Sequence, residues 1–314
     1  MFTFKKQSGS MPIAYVEGGK HSGQKLRICD NVDERSLHAR PSEVITEDEL
    51  RSNFKSKTKY LMPKDVQVMY RALEDGDKTK PKVPDYLLDL FFKFLPIYKE
   101  RAAREIHLTN STLHLIPDRT PEQNTRIVYY GASGSGKSFL CSCFVDQYRK
   151  KYPRRNVVLI SQVPDDESID RRFIKRLRVD QDLLDDPIDV KTELCDSLVI
   201  FDDFESFSKK LREYVYELRD TILMTGRHYN CDIAICTHNI TNGLTTKTML
   251  QEASHFFFFL KGNTYQVRRV LSQYCGFSPS QVRKILKLPS RWVCIKRTGP
   301  TPFVMYSSGC MVFE

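Results

Sequence analysis

The chain has 314 residues with 49 basic and 39 acidic side chains, so its formal net charge is +10. A hydrophobic content of 40% beside 28% charged residues is typical of a globular protein and excludes a fibrous, globally disordered or small disulfide-rich chain. No apolar run approaches the ~20 residues of a membrane-spanning helix, and we expect no signal peptide and no membrane partner. The nine cysteines form no C-x-x-C pair, which favours reduced thiols in an intracellular protein.

The first 115 residues are predicted to form an accessory region. Residues 1–60 are polar, which indicates either a flexible arm or a small subdomain. Tyr86–Arg104 has apolar residues at helical spacing, although we expect Pro96 to end or kink that helix. The polar segment Pro117–Thr125 contains two prolines and marks the domain boundary.

Beyond that boundary, short apolar runs alternate with helical patterns. Strands are predicted at 126–130, 156–161, 197–202, 231–237 and 255–260, and helices at 137–151, 168–178, 205–227 and 247–253. Buried strands separated by helices predict an α/β fold, in which helices cover both faces of a mainly parallel, RecA-like sheet. The tail is predicted to form helices at 265–275 and 278–286 and a strand pair at 291–296 and 302–306. The expected domains are 1–115, the core at 120–262, and a basic extension at 263–314.

A phosphate-binding loop opens the core. Gly131–Ser138 matches G-x-x-x-x-G-K-[ST], and it lies between a predicted strand and a predicted helix, as this motif requires. Its backbone N–H groups and the helix N-terminus favour phosphate, Lys137 can reach the β- and γ-phosphates, and Ser138 can ligate Mg²⁺. We therefore expect ATP and Mg²⁺ as cofactors. The predicted nucleotide site comprises Gly131, Ala132, Ser133, Gly134, Ser135, Gly136, Lys137, Ser138 and Phe139.

Two carboxylates follow the apolar strand Leu198–Phe201. A buried strand that ends in an acid is typical of a magnesium site in this architecture, so we assign Asp202 to Mg²⁺, through water. Asp203 is the predicted base that activates the attacking water. Because Asp is shorter than Glu, Glu205 remains the alternative base.

The next strand ends in Thr237, His238 and Asn239, beside the expected γ-phosphate. Asn239 or Thr237 is favoured as the group that senses this phosphate, with His238 less favoured. Arg227 precedes the same strand. It is either an arginine finger for a neighbouring subunit or an arginine that complements a helix C-terminus, and the residues alone favour the second reading.

At these residues the chain resembles the FtsK–HerA superfamily of DNA-pumping ATPases. Within it, the chain is similar to the poxvirus-type genome-packaging ATPases of large eukaryotic DNA viruses and their satellites. The resemblance covers residues 120–314 and is carried by 131–138, Leu198–Asp203, Thr225–Asn230 and Ser290–Val293. The family often has Gln at the sensor position, whereas this strand ends in Thr-His-Asn.

The resemblance implies a homo-oligomeric ring that hydrolyses ATP at subunit interfaces, with Arg227 acting in trans. It also implies that the ring packages double-stranded DNA into a capsid, with capsid proteins as partners and the host cytoplasm or the virion as its location. A replication or repair helicase and a small-molecule kinase remain alternatives. The kinase would need an arginine-rich lid. Candidates for such a lid are Arg171, Arg172, Arg176 and Arg178.

The net charge is concentrated in the tail, since residues 261–314 contain nine basic and one acidic side chain. Such a surface suits non-specific contact with the DNA backbone, which requires no base recognition. The candidates are Lys261, Arg268, Arg269, Arg283, Lys284, Lys287, Arg291, Lys296 and Arg297. A second basic cluster comprises Lys55, Lys57, Lys59 and Lys64.

Overall fold

The computed structural model describes residues 2–29, 40–55, 60–76, 81–118, 123–262, 264–299 and 301–313. Lys57, Lys59 and residues 119–122 of the predicted boundary segment lie outside these ranges. Across the described ranges, no helix combines the length and apolar character needed to cross a membrane.

The secondary structure alternates between strands and helices through the core. The strands are β1 (Phe2–Thr3), β2 (Met11–Glu17), β3 (Lys25–Ile28), β4 (Glu105–His107), β5 (Thr112–Leu115), β6 (Arg126–Tyr130), β7 (Asn156–Ser161), β8 (Ile174–Leu177), β9 (Ser197–Asp202), β10 (Asp232–Thr237), β11 (His255–Phe259), β12 (Trp292–Lys296), β13 (Phe303–Tyr306) and β14 (Gly309–Met311). The helices are α1 (Pro41–Val44), α2 (Glu47–Asn53), α3 (Pro63–Asp75), α4 (Leu88–Arg104), α5 (Lys137–Lys151), α6 (Asp182–Asp185), α7 (Val190–Glu193), α8 (Lys209–Thr225), α9 (Leu244–Glu252), α10 (Thr264–Gln273) and α11 (Pro279–Leu286). Short 3₁₀ helices occupy Asp85–Leu87, Phe204–Ser206 and Gly226–Tyr229.

A ten-stranded sheet forms the core, in the order β4-β14-β13-β12-β11-β6-β10-β9-β7-β8. The strands from β11 to β8 are parallel, and the others extend the sheet antiparallel from β11. This arrangement confirms the predicted α/β class. The strand β10 lies between β6 and β9, so the ends of these three strands meet at one edge.

Both faces of the sheet are covered, which explains why its central strands are apolar throughout. Val128 of β6 packs on one face in a cluster that includes Ile222 of α8. The next residue, Tyr129, packs on the other face in a cluster that includes Phe144 of α5. Side chains alternate between faces along a strand, so both faces require apolar residues.

The described part of the amino-terminal region is folded and contacts the core. The strands β1, β3, β2 and β5 form a four-stranded sheet whose buried side chains share a cluster with α5. The helices α1 to α4 surround a separate apolar cluster. The strand β4 pairs with β14, so the predicted accessory region also contributes an edge strand to the main sheet.

The structure contradicts one local prediction and one of the two alternatives in another. The predicted helix at 168–178 is replaced by β8, which pairs with β7 at the sheet edge. Its sequence has few apolar residues for a helix to bury, whereas an edge strand can leave Lys175 exposed. Pro96 does not end α4, which continues to Arg104. The proline is exposed, and burial of residues such as Phe91 and Leu95 on the opposite side offsets its cost of about 3 kcal/mol.

Candidate nucleotide site

The loop 131–138 adopts a conformation that depends on its glycines. Gly134 and Gly136 have φ values of +68° and +101°, in the left-handed region that other residues rarely adopt. A Cβ atom on Gly131 would lie 2.7 Å from Ser135 Oγ and 3.0 Å from Phe259 Cβ, so no larger residue fits there. The motif therefore has the tight turn between β6 and α5 that phosphate binding requires.

Lys137 points back over this loop. Its side chain is buried, and Nζ donates hydrogen bonds of 3.1 Å to the carbonyl oxygens of Gly131 and Ala132. His238 Nδ1 lies 3.2 Å from the same amine. Burial lowers the pKa of Lys137, while Asp202 and other nearby acidic groups act in the opposite direction.

Asp202 and Ser138 face each other across the ends of β9 and the phosphate loop. Asp202 is 3% exposed, and burial raises its pKa to about 6 although Ser138 donates it a hydrogen bond. Mg²⁺ prefers one or two protein oxygens together with substrate phosphates and water. A serine hydroxyl beside a buried carboxylate fits that preference, and a cation would neutralise the carboxylate.

Asp203 and Glu205 have different surroundings. Asp203 has a left-handed φ of +48°, and its Oδ1 lies 3.6 Å from His238 Nε2. Glu205 is hydrogen-bonded to the end of β10. Its Oε1 accepts hydrogen bonds from Thr237 Oγ1 at 2.5 Å and from His238 N at 3.2 Å. Its Oε2 is buried without a hydrogen-bond partner among the residues described.

The three polar residues after β10 are placed differently from one another. Thr237 is buried against Glu205, and Asn239 has an exposed side chain. His238 is the one that reaches Lys137 and the Gly131 carbonyl oxygen, at 3.1 Å from the latter. Thr237 pairs with Tyr130, which places His238 directly beside the start of the phosphate loop. The sequence favoured Asn239 or Thr237 because it does not reveal this register.

Arg227 lies at the opposite edge of the sheet. It precedes β10 in a short 3₁₀ helix, and its side chain is exposed. Burial lowers the pKa of Arg126, at the start of β6, and the charge of Arg227 lowers it further. The phosphate loop follows the other end of β6, about 15 Å along a strand of this length. Arg227 therefore does not meet the phosphate loop of its own chain.

The arginines considered for a kinase lid are mostly occupied. Arg171 Nε lies 3.5 Å from Asp146 Oδ1, and Arg178 Nε lies 3.0 Å from Asp180 Oδ2. Arg176 binds both carboxylate oxygens of Asp170. These pairs hold Arg171, Arg176 and Arg178 beside acidic side chains.

Several basic residues of the tail are also occupied, which corrects the predicted DNA surface. Lys296 is buried and pairs with Asp118. Arg297 donates to the carbonyl oxygens of Leu250 and Ala253 near the end of α9. Two others are also engaged: Lys284 pairs with Glu105 and lies over the Phe313 ring, and Arg291 donates a hydrogen bond to the Gly134 carbonyl oxygen. The exposed basic residues that remain, here called the basic face, are Lys261, Arg268, Arg269, Arg283 and Lys287.

A comparison with known proteins finds a relative of the chain in a virophage. No family model matches the sequence. The chain is 32% identical over 197 residues to the uncharacterized protein V3 of the Sputnik virophage. The alignment covers 62% of this chain and 79% of V3.

The solved structures that align with the chain are more distant. The genome packaging NTPase B204 of Sulfolobus turreted icosahedral virus 2 aligns with a TM-score of 0.42 and 14% identity, over 59% of this chain and 96% of B204. The pCW3 conjugation coupling protein TcpA aligns with a TM-score of 0.39 and 11% identity, over 59% of this chain and 60% of TcpA. These scores are low, so the fold is assigned from the phosphate loop and the strand order of the chain itself. The chain belongs to the family of the Sputnik virophage protein V3, and its own phosphate loop and strand order give it the P-loop NTPase fold.

Proposed function

We propose that this protein is an ATPase that uses Mg-ATP hydrolysis to drive double-stranded DNA into a viral capsid. It would act as a homo-oligomeric ring with active sites at the subunit interfaces. One observation supports the proposed ring: the groups assigned to hydrolysis lie at one edge of the sheet, whereas Arg227 is exposed at the other edge. In the proposed ring, the arginine of a neighbouring copy completes the site.

Each residue at the loop has a distinct task in this proposal. Lys137 binds the β- and γ-phosphates, and the loop N–H groups bind the phosphate oxygens. Ser138 and Asp202 would hold Mg²⁺, Asp202 through water, and the cation would supply charge neutralisation on the phosphates. Asp203 takes the proton of the attacking water.

Two further groups complete the site. The polar end of β10, at His238 or Asn239, contacts the γ-phosphate. Arg227 of the neighbouring copy stabilises the charge that develops on the transferred phosphoryl group.

The DNA part of the proposal rests on two features. Residues 120–314 resemble DNA-packaging ATPases, and the basic face on and beside α10 and α11 is exposed. A motor that moves along DNA requires contact with phosphates and no recognition of bases. The capsid is the expected partner that receives the DNA.

The test is ATP hydrolysis by the purified oligomer with and without double-stranded DNA. We expect DNA to stimulate hydrolysis, and we expect Lys137→Ala and Asp202→Ala to abolish it. Lys150→Ala is the matched control because Lys150 is exposed on the same helix as Lys137. A folded oligomer that neither binds DNA nor hydrolyses ATP would overturn the proposal. Unwinding of a forked duplex would instead indicate a helicase, and DNA-independent phosphoryl transfer to a nucleoside would indicate a kinase.

A further inference from the structure

Arg291 contacts the phosphate loop of its own chain. One of its guanidinium nitrogens, Nη2, donates a hydrogen bond of 3.1 Å to the carbonyl oxygen of Gly134. A Cβ atom built on Gly136 would lie 3.8 Å from both Cζ and Nη2 of Arg291. The guanidinium group therefore lies beside the glycines that shape the loop, although 157 residues separate Arg291 from Gly134.

The backbone of Arg291 is held in place by two elements. Its carbonyl oxygen accepts a hydrogen bond of 3.1 Å from Leu260 N, at the end of β11. The preceding Ser290 donates through Oγ to the Trp292 carbonyl oxygen and accepts from Ser307 N. Since β11 neighbours β6, these bonds fix Arg291 at the edge from which the phosphate loop emerges.

The guanidinium group has no carboxylate partner within the part of the chain that the structure describes. Arginines elsewhere do, for example Arg155 with Asp232 and Arg176 with Asp170. Arg291 is also exposed and so retains donors for an incoming anion. Its planar fork suits phosphate oxygens better than a single ammonium group does.

We propose that Arg291 binds the phosphate chain of a nucleotide held by its own loop, and that it contacts the part shared by ATP and ADP. This inference rests on the proposed function, because it assumes that the loop binds a nucleoside polyphosphate. The Lys137 amine and the His238 ring, which face the γ-phosphate in the proposed function, lie beside Gly131 and Ala132 at the other end of the loop. Arg291 lies beside Gly134 and Gly136 instead, so it is a nucleotide-binding residue and belongs neither to the γ-phosphate contacts nor to the basic face.

The test measures ATP and ADP affinity by calorimetry for the full-length protein and for Arg291→Ala. We expect both nucleotides to bind about tenfold more weakly or worse, as loss of a charge-assisted hydrogen bond predicts, and Arg291→Lys to recover part of the loss. In steady-state hydrolysis KM should rise more than kcat falls. Without nucleotide the melting temperature should stay unchanged, whereas the increase produced by ADP should shrink.

Arg268→Ala is the matched control because it removes an exposed arginine of the same tail that lies on α10. It should weaken DNA binding and leave ADP binding unchanged, whereas Arg291→Ala should do the reverse. If the wild-type protein bound no ATP, the proposed function itself would fail. If the wild type bound ATP and Arg291→Ala bound both nucleotides equally well, or lost affinity for ATP alone, the assignment of Arg291 would be wrong. Arg291→Ala could instead have a lower melting temperature without nucleotide and the same increase in melting temperature with ADP. That result would mean that Arg291 only stabilises the loop and does not bind the nucleotide.

Discussion

The amine of Lys137 lies 3.2 Å from Nδ1 of His238, and the other ring nitrogen lies 3.6 Å from Asp203 Oδ1. The imidazole therefore bridges the loop lysine and the proposed base. A bound γ-phosphate would contact the same amine. This places His238 at the centre of the proposed chemistry, although the sequence favoured its two neighbours.

Replacing His238 with Ala should slow hydrolysis without weakening ADP binding. The change removes a γ-phosphate contact and also a group that competes with phosphate for the Lys137 amine. We expect kcat to fall about tenfold or more while the Kd for ADP stays constant or decreases. Asn239→Ala is the companion variant, since its side chain is exposed. A larger loss of kcat in Asn239→Ala than in His238→Ala would assign the sensor to Asn239.

The two candidate bases should separate by mutation. Asp203→Asn removes the carboxylate that faces Nε2 of the His238 ring, and we expect kcat to fall about a hundredfold with little change in nucleotide affinity. Glu205→Gln keeps an amide oxygen that can accept from Thr237, so its effect should be smaller. The rate of ATP hydrolysis in a single turnover should be measured for both variants. The reverse order of effects would make Glu205 the base.

The sequence predicts those parts of the site that are continuous in the chain. The phosphate loop and Asp202 follow from local patterns, because a glycine-rich turn and an apolar strand ending in acids are readable over a few residues. The contact between Arg291 and Gly134 cannot be predicted from a local pattern, because it depends on the pairing of β12 with β11. The burial of Lys296 against Asp118 likewise depends on segments that are distant in the sequence. The number of basic residues in the tail is therefore larger than the number available to contact DNA.

Arg227 should act on the nucleotide of a neighbouring copy. Arg227→Ala and Lys137→Ala should each be inactive alone, and mixing them before assembly should restore part of the activity. In the mixture, an intact phosphate loop can meet an intact arginine at some interfaces. The control mixes Arg227→Ala with the double variant Arg227→Ala/Lys137→Ala, which offers no such interface. If both mixtures assembled normally and had equal activity, Arg227 would not act on a neighbouring nucleotide. Its role would then be to complement the C-terminus of its helix.

The basic face should set the salt dependence of DNA binding. Replacing Arg268, Arg269, Arg283 and Lys287 with Gln should weaken DNA binding and reduce the slope of log K against log salt by about one for each lost phosphate contact. Basal ATP binding should stay unchanged. The matched control replaces four exposed lysines of the amino-terminal sheet region, Lys5, Lys6, Lys20 and Lys25. An equal change of slope in both variants would mean that the tail has no special role.

The buried group around His255 should make stability depend on pH. His255 is 1% exposed, its Nδ1 lies 2.9 Å from Ser254 Oγ, and its Nε2 lies 3.6 Å from Asp118 Oδ2. Burial lowers its pKa from 6.5 to about 4; Asp118 opposes this shift, and the charges of Lys296 and Arg126 add to it. Between these two values the unfolded chain binds more protons than the folded one, so stability falls as the pH decreases through this window.

The loss should amount to about 3 kcal/mol over the whole window, as the shift of the His255 pKa implies. The free energy of unfolding, measured by urea titration at several pH values, checks this. In His255→Gln the side chain no longer titrates, so the pH dependence between 6.5 and 4 should become shallower. His228→Gln is the control because His228 is exposed, and it should keep the slope of the wild type. If His255→Gln also kept that slope, the pH dependence would have to come from other groups, and the neutral form of His255 would contribute nothing to stability.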